Sequence, residues 1–520
     1  MSTPRRFFRY ASTRLRALAG DAEFREWMWF CAPALLVAVA VRAVMTAQMP
    51  YGYMQFDTVD FLATPHRFLK DWGIAVHMKR TFLVPFLYTL PFLLRVPALI
   101  AIPLAQHALG VLTVAMGGGL VRLWFAQWRW IIVPATLLLA VDPVLLWFEQ
   151  ALMSECVYLF CVFALALAGT LYARRQSGAR FAFLLASLFF TAAARPEGRL
   201  FFAFGFGLVF LVHFGRWKVL ALRLACVAAT AAVVLPLTRT GQSGQLLLAT
   251  VITLAPDVSK VAPDLSEPLR KLRDGVALEE GEVNTELTTM EKALANLTRD
   301  YLAAHKELRT DKNSLCLKLA IEACKNRPFD LPALAAKKFL ISNAGASSIG
   351  FIEPKLHRKL EVGFTRTDWL PGMWKGLTGR ELKDREAMVA FVGENYHPID
   401  WYSALDRAWL GMTLTAREGG LKSGDSWIPN LSYFYILALA GMAASLVLNG
   451  PMRAMQFPWL LTLAGLWFAV ELTGVINARY RYVFEPFCVI YALSALAAPF
   501  AAFHARGTKS DASLSQKPSP

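Results

Sequence analysis

The chain has 520 residues, of which 56% are hydrophobic, and its formal net charge is +16. This hydrophobic fraction excludes a soluble globular protein of ordinary composition. A basic excess can indicate nucleic-acid binding, but the cations lie between apolar runs and no basic and aromatic strip stands out. Membrane orientation and anionic headgroups explain such cations better. We therefore expect a membrane protein with no nucleic-acid partner.

Ten apolar runs approach the length of about 20 residues that a helix needs to cross a bilayer. They are predicted at 27–49, 97–121, 130–148, 156–172, 181–194, 200–214, 219–237, 433–448, 457–470 and 483–503. Lipid offers the backbone no hydrogen bonds, so each run must be helical. The predicted fold class is an all-α polytopic membrane protein with about ten transmembrane helices.

Basic residues precede the first run and fill several of the short turns between later runs, which places the N-terminus in the cytoplasm of a plasma (inner) membrane protein. The first run is too long for the core of a cleaved signal peptide. The apolar stretch 81–94 is too short to cross and is predicted as a helix lying at the outer surface or dipping into it. The predicted organisation is a cytoplasmic segment 1–26, a transmembrane catalytic core 27–239 with an outer loop 50–96, an extracytoplasmic helical domain 240–427, C-terminal transmembrane helices 428–503 and a disordered cytoplasmic tail 504–520.

The domain at 240–427 contains no spanning run, and two helices are predicted inside it. The first has an apolar stripe with helical spacing, made of Leu287, Met290, Leu294, Leu297 and Tyr301. The second covers 315–324 and is broken at Pro328. Cys316 and Cys324 could form a disulfide in an extracytoplasmic loop, but on one unbroken helix they would lie about 12 Å apart and could not bond.

The outer loop 50–96 begins acidic, with Asp57 and Asp60, and ends basic, with Lys79 and Arg80. A carboxylate just outside a membrane helix is tolerated where it faces water or a catalytic cleft. This pattern suits a site for an acceptor hydroxyl and a phosphate. An ordinary polar loop is the alternative interpretation.

Charged residues in membrane helices are rare and usually functional. By the predicted topology, those at the ends of later spans all lie on the outer side: Asp142, Glu149, Glu155, Arg195, Glu197, Glu471, Arg479, Arg481 and Glu485. This clustering predicts one aqueous cleft at that side of the membrane.

Each of these motifs also has a structural interpretation. Glu155 could cap its helix, where a negative charge suits the helix dipole. Residues 195–199 could form a tight turn with proline at the first helical position. Arg479 and Arg481 alternate with two tyrosines and could be interfacial anchors. We favour phosphate binding for these two, because a guanidinium binds phosphate with two parallel hydrogen bonds.

Taken in order, these motifs resemble the GT-C superfamily of integral-membrane glycosyltransferases, closest to the group with protein mannosyltransferases and the aminoarabinose transferase of lipid A. The resemblance covers about 40–240 and 430–500 and does not extend to the domain between them. It rests on Arg42, Asp57-Thr58-Val59-Asp60-Phe61-Leu62, Arg80 to Leu87, Asp142-Pro143, Ser154-Glu155, Arg195-Pro196-Glu197 and Arg479-Tyr480-Arg481-Tyr482 followed by Glu485-Pro486-Phe487. Thr58 and Phe61 replace the commoner serine and tyrosine, and the paired acid of the family is absent.

The resemblance implies inverting transfer of a sugar from a polyprenyl-phosphate donor to an envelope lipid, glycan or protein acceptor at the outer face. The acceptor hydroxyl needs a carboxylate base, and the leaving phosphate needs cations rather than a proton donor. The catalytic candidates are Asp57, Asp60 and Glu155, with Asp57 as the base. The phosphate-binding candidates are Lys79, Arg80, Arg195, Arg479 and Arg481, and the cleft-lining candidates are Arg42, Glu197, Tyr480, Tyr482 and Glu485.

Converging carboxylates leave a divalent metal open as cofactor, although no ligand set can be named from the sequence. A transporter or lipid flippase is the alternative function, and it would require inverted repeats and charges near the membrane midplane. A non-catalytic scaffold whose outer domain recruits partners is a third alternative. No pairing of halves is visible in the sequence, which favours the enzyme.

Overall fold

The computed structural model describes most of the apolar core and parts of the domain at 240–427, which is called the insert below. The described residues are 22–54, 58–71, 80–125, 129–238, 248, 261–275, 294, 296–308, 310–326, 328–329, 369–397, 399–413, 433–448, 452–473 and 482–497. These residues are α-helical with short 3-10 turns and contain no β-strand; Tyr53 and Ala151 form one isolated β-bridge.

The helices follow one another with short connections in the first half of the chain. In chain order they are α1 (Ala22–Gln48), α2 (Thr58–Asp71), α3 (Leu83–Leu93), α4 (Ala98–Trp124), α5 (Ile132–Val141), α6 (Pro143–Gln150), α7 (Glu155–Arg174), α8 (Gly178–Ala194), α9 (Phe201–His213), α10 (Trp217–Leu237), α11 (Pro263–Gly275), α12 (Lys312–Asn326), α13 (Trp374–Thr378), α14 (Arg385–Asn395), α15 (Asp400–Thr413), α16 (Tyr433–Leu448), α17 (Arg453–Thr473) and α18 (Glu485–Ala497).

Five helices in the described part of the chain are long and apolar enough to cross a membrane on their own. They are Arg25–Gln48 of α1, α4, α7, Pro196–His213 containing α9, and α10. The bent pair α5 and α6 would make a sixth span, and α3, α8, α16 and α18 contain shorter apolar helices. Each of the ten predicted spans coincides with one helix or with the bent pair, and the all-α polytopic fold class is confirmed.

The predicted third span is not one straight helix. α5 and α6 meet at an angle of 42°. Pro143 lacks an N–H and cannot continue the hydrogen-bond ladder of α5. The Asp142 carboxylate instead accepts hydrogen bonds from the backbone N–H groups of Val144 (2.8 Å) and Leu145 (3.2 Å), which caps a new helix. The break turns the end of α6, with Glu149 and Gln150, into the bundle.

The insert between α10 and α16 contains a small hydrophobic core of its own. Leu265 and Leu269 of α11 pack with Leu315 and Leu319 of α12 and with Leu294. Of the predicted apolar stripe, Leu294, Leu297 and Tyr301 belong to this core, whereas Leu287 and Met290 lie outside the described residues. The second predicted helix is confirmed as α12, which ends at Asn326.

The two cysteines of the insert are both on α12 and both carry free thiols. Eight residues along one helix separate Cys316 from Cys324 by about 12 Å, beyond the reach of a disulfide. The disulfide considered from the sequence is therefore wrong for this fold.

A second part of the insert, α13 to α15, is attached to the transmembrane bundle by buried side chains. The Tyr396 hydroxyl donates to the Gly52 carbonyl (2.8 Å), and the Tyr402 hydroxyl donates to the Pro143 carbonyl (2.6 Å). Burial raises the pKa of both tyrosines well above the usual value, so both phenols remain neutral donors. These bonds fix α14 and α15 over the bundle end where α1 ends and α6 begins.

Candidate functional site

The end of the bundle that carries the predicted site is assembled by hydrogen bonds between its loops. The Thr58 hydroxyl at the start of α2 donates to the Leu152 carbonyl (3.0 Å). The Thr81 hydroxyl before α3 donates to the Ala194 carbonyl at the end of α8 (2.8 Å). Residues 49–54, 58–60, 80–81, 149–155 and 194–197 therefore meet in one region, which we call the polar end.

Arg195 is the centre of a buried ion-pair cluster at the polar end. Its guanidinium lies 2.8 Å from Oε1 of Glu155 and 3.2 Å from Oε1 of Glu197. It also donates to the Ser154 hydroxyl (3.2 Å). Glu155 is fully buried, whereas the Glu197 side chain is 28% exposed. With all three groups ionised, the cluster carries one net negative charge.

Local sequence explains how Arg195 reaches this position. Pro196 starts a 3-10 turn, and Arg195 before it is extended. A Cβ atom on Gly198 would lie 2.1 Å from the Thr191 carbonyl oxygen, so only glycine permits the close return of the turn against α8. The turn predicted from the sequence is present, and it is the element that directs Arg195 toward Glu155.

Two tyrosines flank the Arg195 guanidinium. Its central carbon lies 5.9 Å from the ring centre of Tyr158 and 5.6 Å from that of Tyr482, within the range of cation–π attraction. A small cavity, with room for about one water molecule, is lined by these tyrosines together with Arg195 and Glu197. Both phenol hydroxyls are buried and have no hydrogen-bond partner in the described part of the chain. One guanidinium, one carboxylate and two tyrosines therefore meet around this cavity.

A second buried network joins α1, α4 and α6. Arg42 donates to Oε1 of Glu149 (2.6 Å), and Nδ1 of His107 lies 2.9 Å from Oε2 of Glu149. Nε2 of His107 lies 2.9 Å from Oε1 of Gln150. A Cβ atom on Gly110 would lie 2.0 Å from Oε1 of Glu149, so this glycine makes room for the carboxylate. Sequence reasoning missed His107 and Gln150, because no motif links α4 to α6.

Arg42 is therefore placed differently from its predicted position on the wall of a cleft. It is 3% exposed, and besides Glu149 it donates to the carbonyls of Ala38 and Ala140. These bonds connect α1 with α5 and α6. Arg42 stabilises the bundle at the polar end, since a buried guanidinium needs partners for its donors.

A second small cavity, again with room for about one water molecule, lies between the two networks and is called the chamber here. Its lining includes Glu149, Glu155, Gly110 and Tyr482. Tyr482 borders both cavities. The chamber therefore has a carboxylate from each network on its wall, one held by Arg42 and one held by Arg195.

The ion pair of Arg80 and Asp60 is a more accessible one at the polar end. Arg80 lies 2.9 Å from Oδ2 of Asp60, and their side chains are 18% and 23% exposed. The Arg80 guanidinium lies 4.8 Å from the ring centre of Phe61, which follows Asp60 on α2. Thr58 and Thr81, each within two residues of the pair, bond to Leu152 and Ala194, so the pair lies beside the Arg195 cluster.

Glu485 was predicted to line the cleft, and the structure shows a different contact. Its Oε1 accepts a hydrogen bond from the indole of Trp409 on α15 (2.6 Å). The side chain is 1% exposed. Glu485 therefore connects the insert to the start of α18 rather than facing solvent.

Five predicted site residues lie outside the described residues: Asp57, Lys79, Arg479, Tyr480 and Arg481. Their roles stay predictions. Over the described residues, no group of three or more His, Cys, Asp or Glu side chains is arranged to hold a metal ion. No metal ligand set can be named from these side chains.

No protein-family model matches the chain, and no curated protein matches it. Among solved structures, the chain is similar to the archaeal oligosaccharyltransferase AglB from Archaeoglobus fulgidus, in complex with an inhibitory peptide and a dolichol-phosphate. The identity is 12% and the TM-score 0.43, over 94% of this chain and 52% of that chain. The chain thus spans about half the length of that protein. A similarity of this size establishes neither the fold nor the function of the chain.

Proposed function

We propose that the protein is a membrane glycosyltransferase of the GT-C type, which moves a sugar from a polyprenyl-phosphate donor to an envelope lipid, glycan or protein. One observation carries the proposal. Arg195 lies in the bundle beside a cavity, held by Glu155 and Glu197 and flanked by two tyrosines. Buried charges in a membrane bundle are costly and usually functional.

Arg195 and Arg80 are the described candidates for binding the phosphate of the donor. A guanidinium has five N–H donors. The contacts of Arg195 with Ser154, Glu155 and Glu197 use four of them, which leaves one on Nη2 for a ligand. The leaving polyprenyl phosphate is already anionic, so cations stabilise it without a proton donor. Lys79, Arg479 and Arg481 complete the proposed set.

The acceptor hydroxyl needs a carboxylate base within hydrogen-bond reach. Glu155 is fully buried and bound to Arg195, which suits holding the arginine better than taking a proton. Asp60 is 23% exposed and therefore more accessible. Asp57, which precedes Thr58 in the chain, remains our first candidate for the base, with Asp60 as the second.

The proposed site faces the outer side of the plasma membrane, and residues 240–427 are proposed to lie outside the cytoplasm. Tyr396 bonds to Gly52 in the polar end, and Tyr402 and Trp409 bond to Pro143 and Glu485 of the bundle, which supports a role of the insert beside the site. We propose that this part of the insert helps to select the acceptor.

A transporter or flippase explains the same geometry less well. Alternating access requires a polar site near the membrane midplane that both sides can reach. The described ion pairs of Arg80 and Arg195 instead lie where helices begin or end, at one end of the bundle. This one-sided arrangement favours an enzyme acting at a membrane surface.

Mass spectrometry of membrane lipids and envelope glycans, from cells with and without the gene, tests the proposal. We expect loss of the gene to remove one sugar from an envelope lipid, glycan or protein and to enrich one polyprenyl-phosphate sugar. Wild type should restore both changes, and Arg195→Gln should restore neither. His213→Gln, at the opposite end of the bundle, is the matched control and should restore both. Unchanged lipids and glycans in the deletion would refute the proposed function.

A further inference from the structure

The protonation state of the buried network around His107 follows from its hydrogen-bond partners. The Gln150 side-chain nitrogen lies 2.8 Å from the Met49 carbonyl oxygen and 2.9 Å from the Tyr51 carbonyl oxygen. Carbonyl oxygens can only accept, so both amide hydrogens of Gln150 are used there. The atom of Gln150 that faces His107 is therefore its oxygen, which is also only an acceptor.

This orientation fixes the tautomer of His107. Nε2 of His107 lies 2.9 Å from Oε1 of Gln150 and must carry a hydrogen to bond with it. The other ring nitrogen, Nδ1, lies 2.9 Å from Oε2 of Glu149. Two acceptors do not approach to this distance, so a second hydrogen lies between Nδ1 and Oε2.

We propose that His107 and Glu149 share this second proton, and that the Arg42–Glu149–His107 network therefore carries one net positive charge. The net charge is the same for both positions of the proton. With the proton on the imidazole, Arg42 and His107 are positive and Glu149 is negative. With the proton on the carboxylate, Arg42 alone is charged. His107 acts through Glu149 and is a positioning residue rather than a catalytic one. The acids and thiols facing the network are Glu155 and Cys156 of α7 and Asp142 between α5 and α6.

The role of this charge rests on the proposed function. Glu149 and Glu155 lie on the wall of the same chamber. Without the shared proton, Arg42 and Glu149 would neutralise each other, and the one net negative charge of the Arg195 cluster would repel an anion. With the shared proton, the net charges of the two networks cancel, and an anionic phosphate can enter the polar end without net repulsion. The shared proton is expected to improve binding of the anionic donor and to leave the chemical step unchanged.

Magnetic resonance of protein labelled with ¹⁵N-histidine, in lipid nanodiscs, tests the protonation state without any substrate. The His107 signals are assigned from their absence in His107→Gln. We expect a hydrogen on Nε2 and a downfield, slowly exchanging proton between Nδ1 and Glu149. Glu149→Gln supplies its own donor to Nδ1, so the downfield proton should disappear while the Nε2 hydrogen remains. An Nε2 without hydrogen, or no shared proton in wild type, would overturn the proposal.

Kinetics of the same variants test the role in donor binding. His107→Gln removes one positive charge from the Arg42–Glu149–His107 network, and we expect its KM for a polyprenyl-phosphate sugar to rise about tenfold with kcat within about twofold of wild type. His213→Gln should leave both constants unchanged. A fall in the kcat of His107→Gln with unchanged KM would refute the electrostatic role. Absence of turnover in wild type would refute the proposed function and leave the resonance result standing.

Discussion

Gly110 provides a direct test of the position of Glu149, because one methyl group there collides with the carboxylate. In Gly110→Ala the new Cβ would lie 2.0 Å from Oε1, 2.3 Å from Cδ and 2.6 Å from Oε2 of Glu149. No carbon–oxygen contact is tolerated at these distances, so the carboxylate must move. It is held by Arg42 at 2.6 Å and by His107 at 2.9 Å, and its displacement weakens both bonds.

The expected cost combines two effects. Overpacking a buried site typically costs about 1–3 kcal/mol. Removing the partner of a buried charge costs about 3–5 kcal/mol, and a displaced carboxylate loses part of that. We expect Gly110→Ala to lower the free energy of unfolding by about 3 kcal/mol.

Gly119, on the same helix, is the matched control. A Cβ atom there would lie 3.8 Å from the nearest atom, Nε1 of Trp27, which is an ordinary contact. Alanine is the better helix former by about 0.5–1 kcal/mol. Gly119→Ala should therefore be as stable as wild type or slightly more stable.

Unfolding of the purified protein by increasing dodecyl sulfate, followed by circular dichroism, measures the difference. We expect a lower midpoint than wild type for Gly110→Ala and an equal or higher one for Gly119→Ala. Equal midpoints for the two variants would show that Glu149 does not occupy the position beside Gly110, and the argument for the shared proton would fail with it.

Further predictions concern the catalytic base, the phosphate site, the thiols and the topology. Asp57→Asn should lower transfer by about 100- to 10,000-fold and leave donor binding intact; near-normal turnover would move the role of base to Asp60. Arg481→Lys should not rescue function, because an ammonium cannot replace the planar two-donor fork, and loss of the contact should cost about 10- to 150-fold in donor affinity or rate. Cys316 and Cys324 should give no mobility difference between reducing and non-reducing gels; an oxidised form that reduction converts would contradict the continuous helix α12. A reporter fused near residue 300 should give an extracytoplasmic signal, and a cytoplasmic one would overturn the proposed side of the site.

The positions of the helices could be predicted from the sequence because a membrane-spanning helix is recorded in local composition. Apolar length alone located α1, α4, α7 and α10 to within a few residues. The bend at Asp142 was harder to predict from the sequence, because Asp-Pro in an apolar run can be a kink, a cap or the end of a span. Its direction depends on which backbone groups the carboxylate caps.

The candidate site was predictable only in part, for a physical reason. Glu155 and Arg195 could be assigned to one side of the membrane by counting spans, and the structure pairs them. His107 could not be assigned, because its partners are 42 and 43 residues away on a helix that only the bend brings back toward α4. Asp60 and Arg80 were likewise predicted to have separate roles, whereas in the structure they form one ion pair.

Donor turnover by the purified protein tests the central claim most directly. Wild type and Arg195→Gln, in lipid nanodiscs of matched composition, are incubated with a panel of polyprenyl-phosphate sugars, and released polyprenyl phosphate is measured by mass spectrometry. The account predicts release from at least one donor by wild type and a loss of about 10- to 150-fold in Arg195→Gln at equal folded fraction. Equal release by the two proteins would contradict the placement of the site, and no release from any donor, with envelope extract present as acceptor, would contradict glycosyl transfer itself.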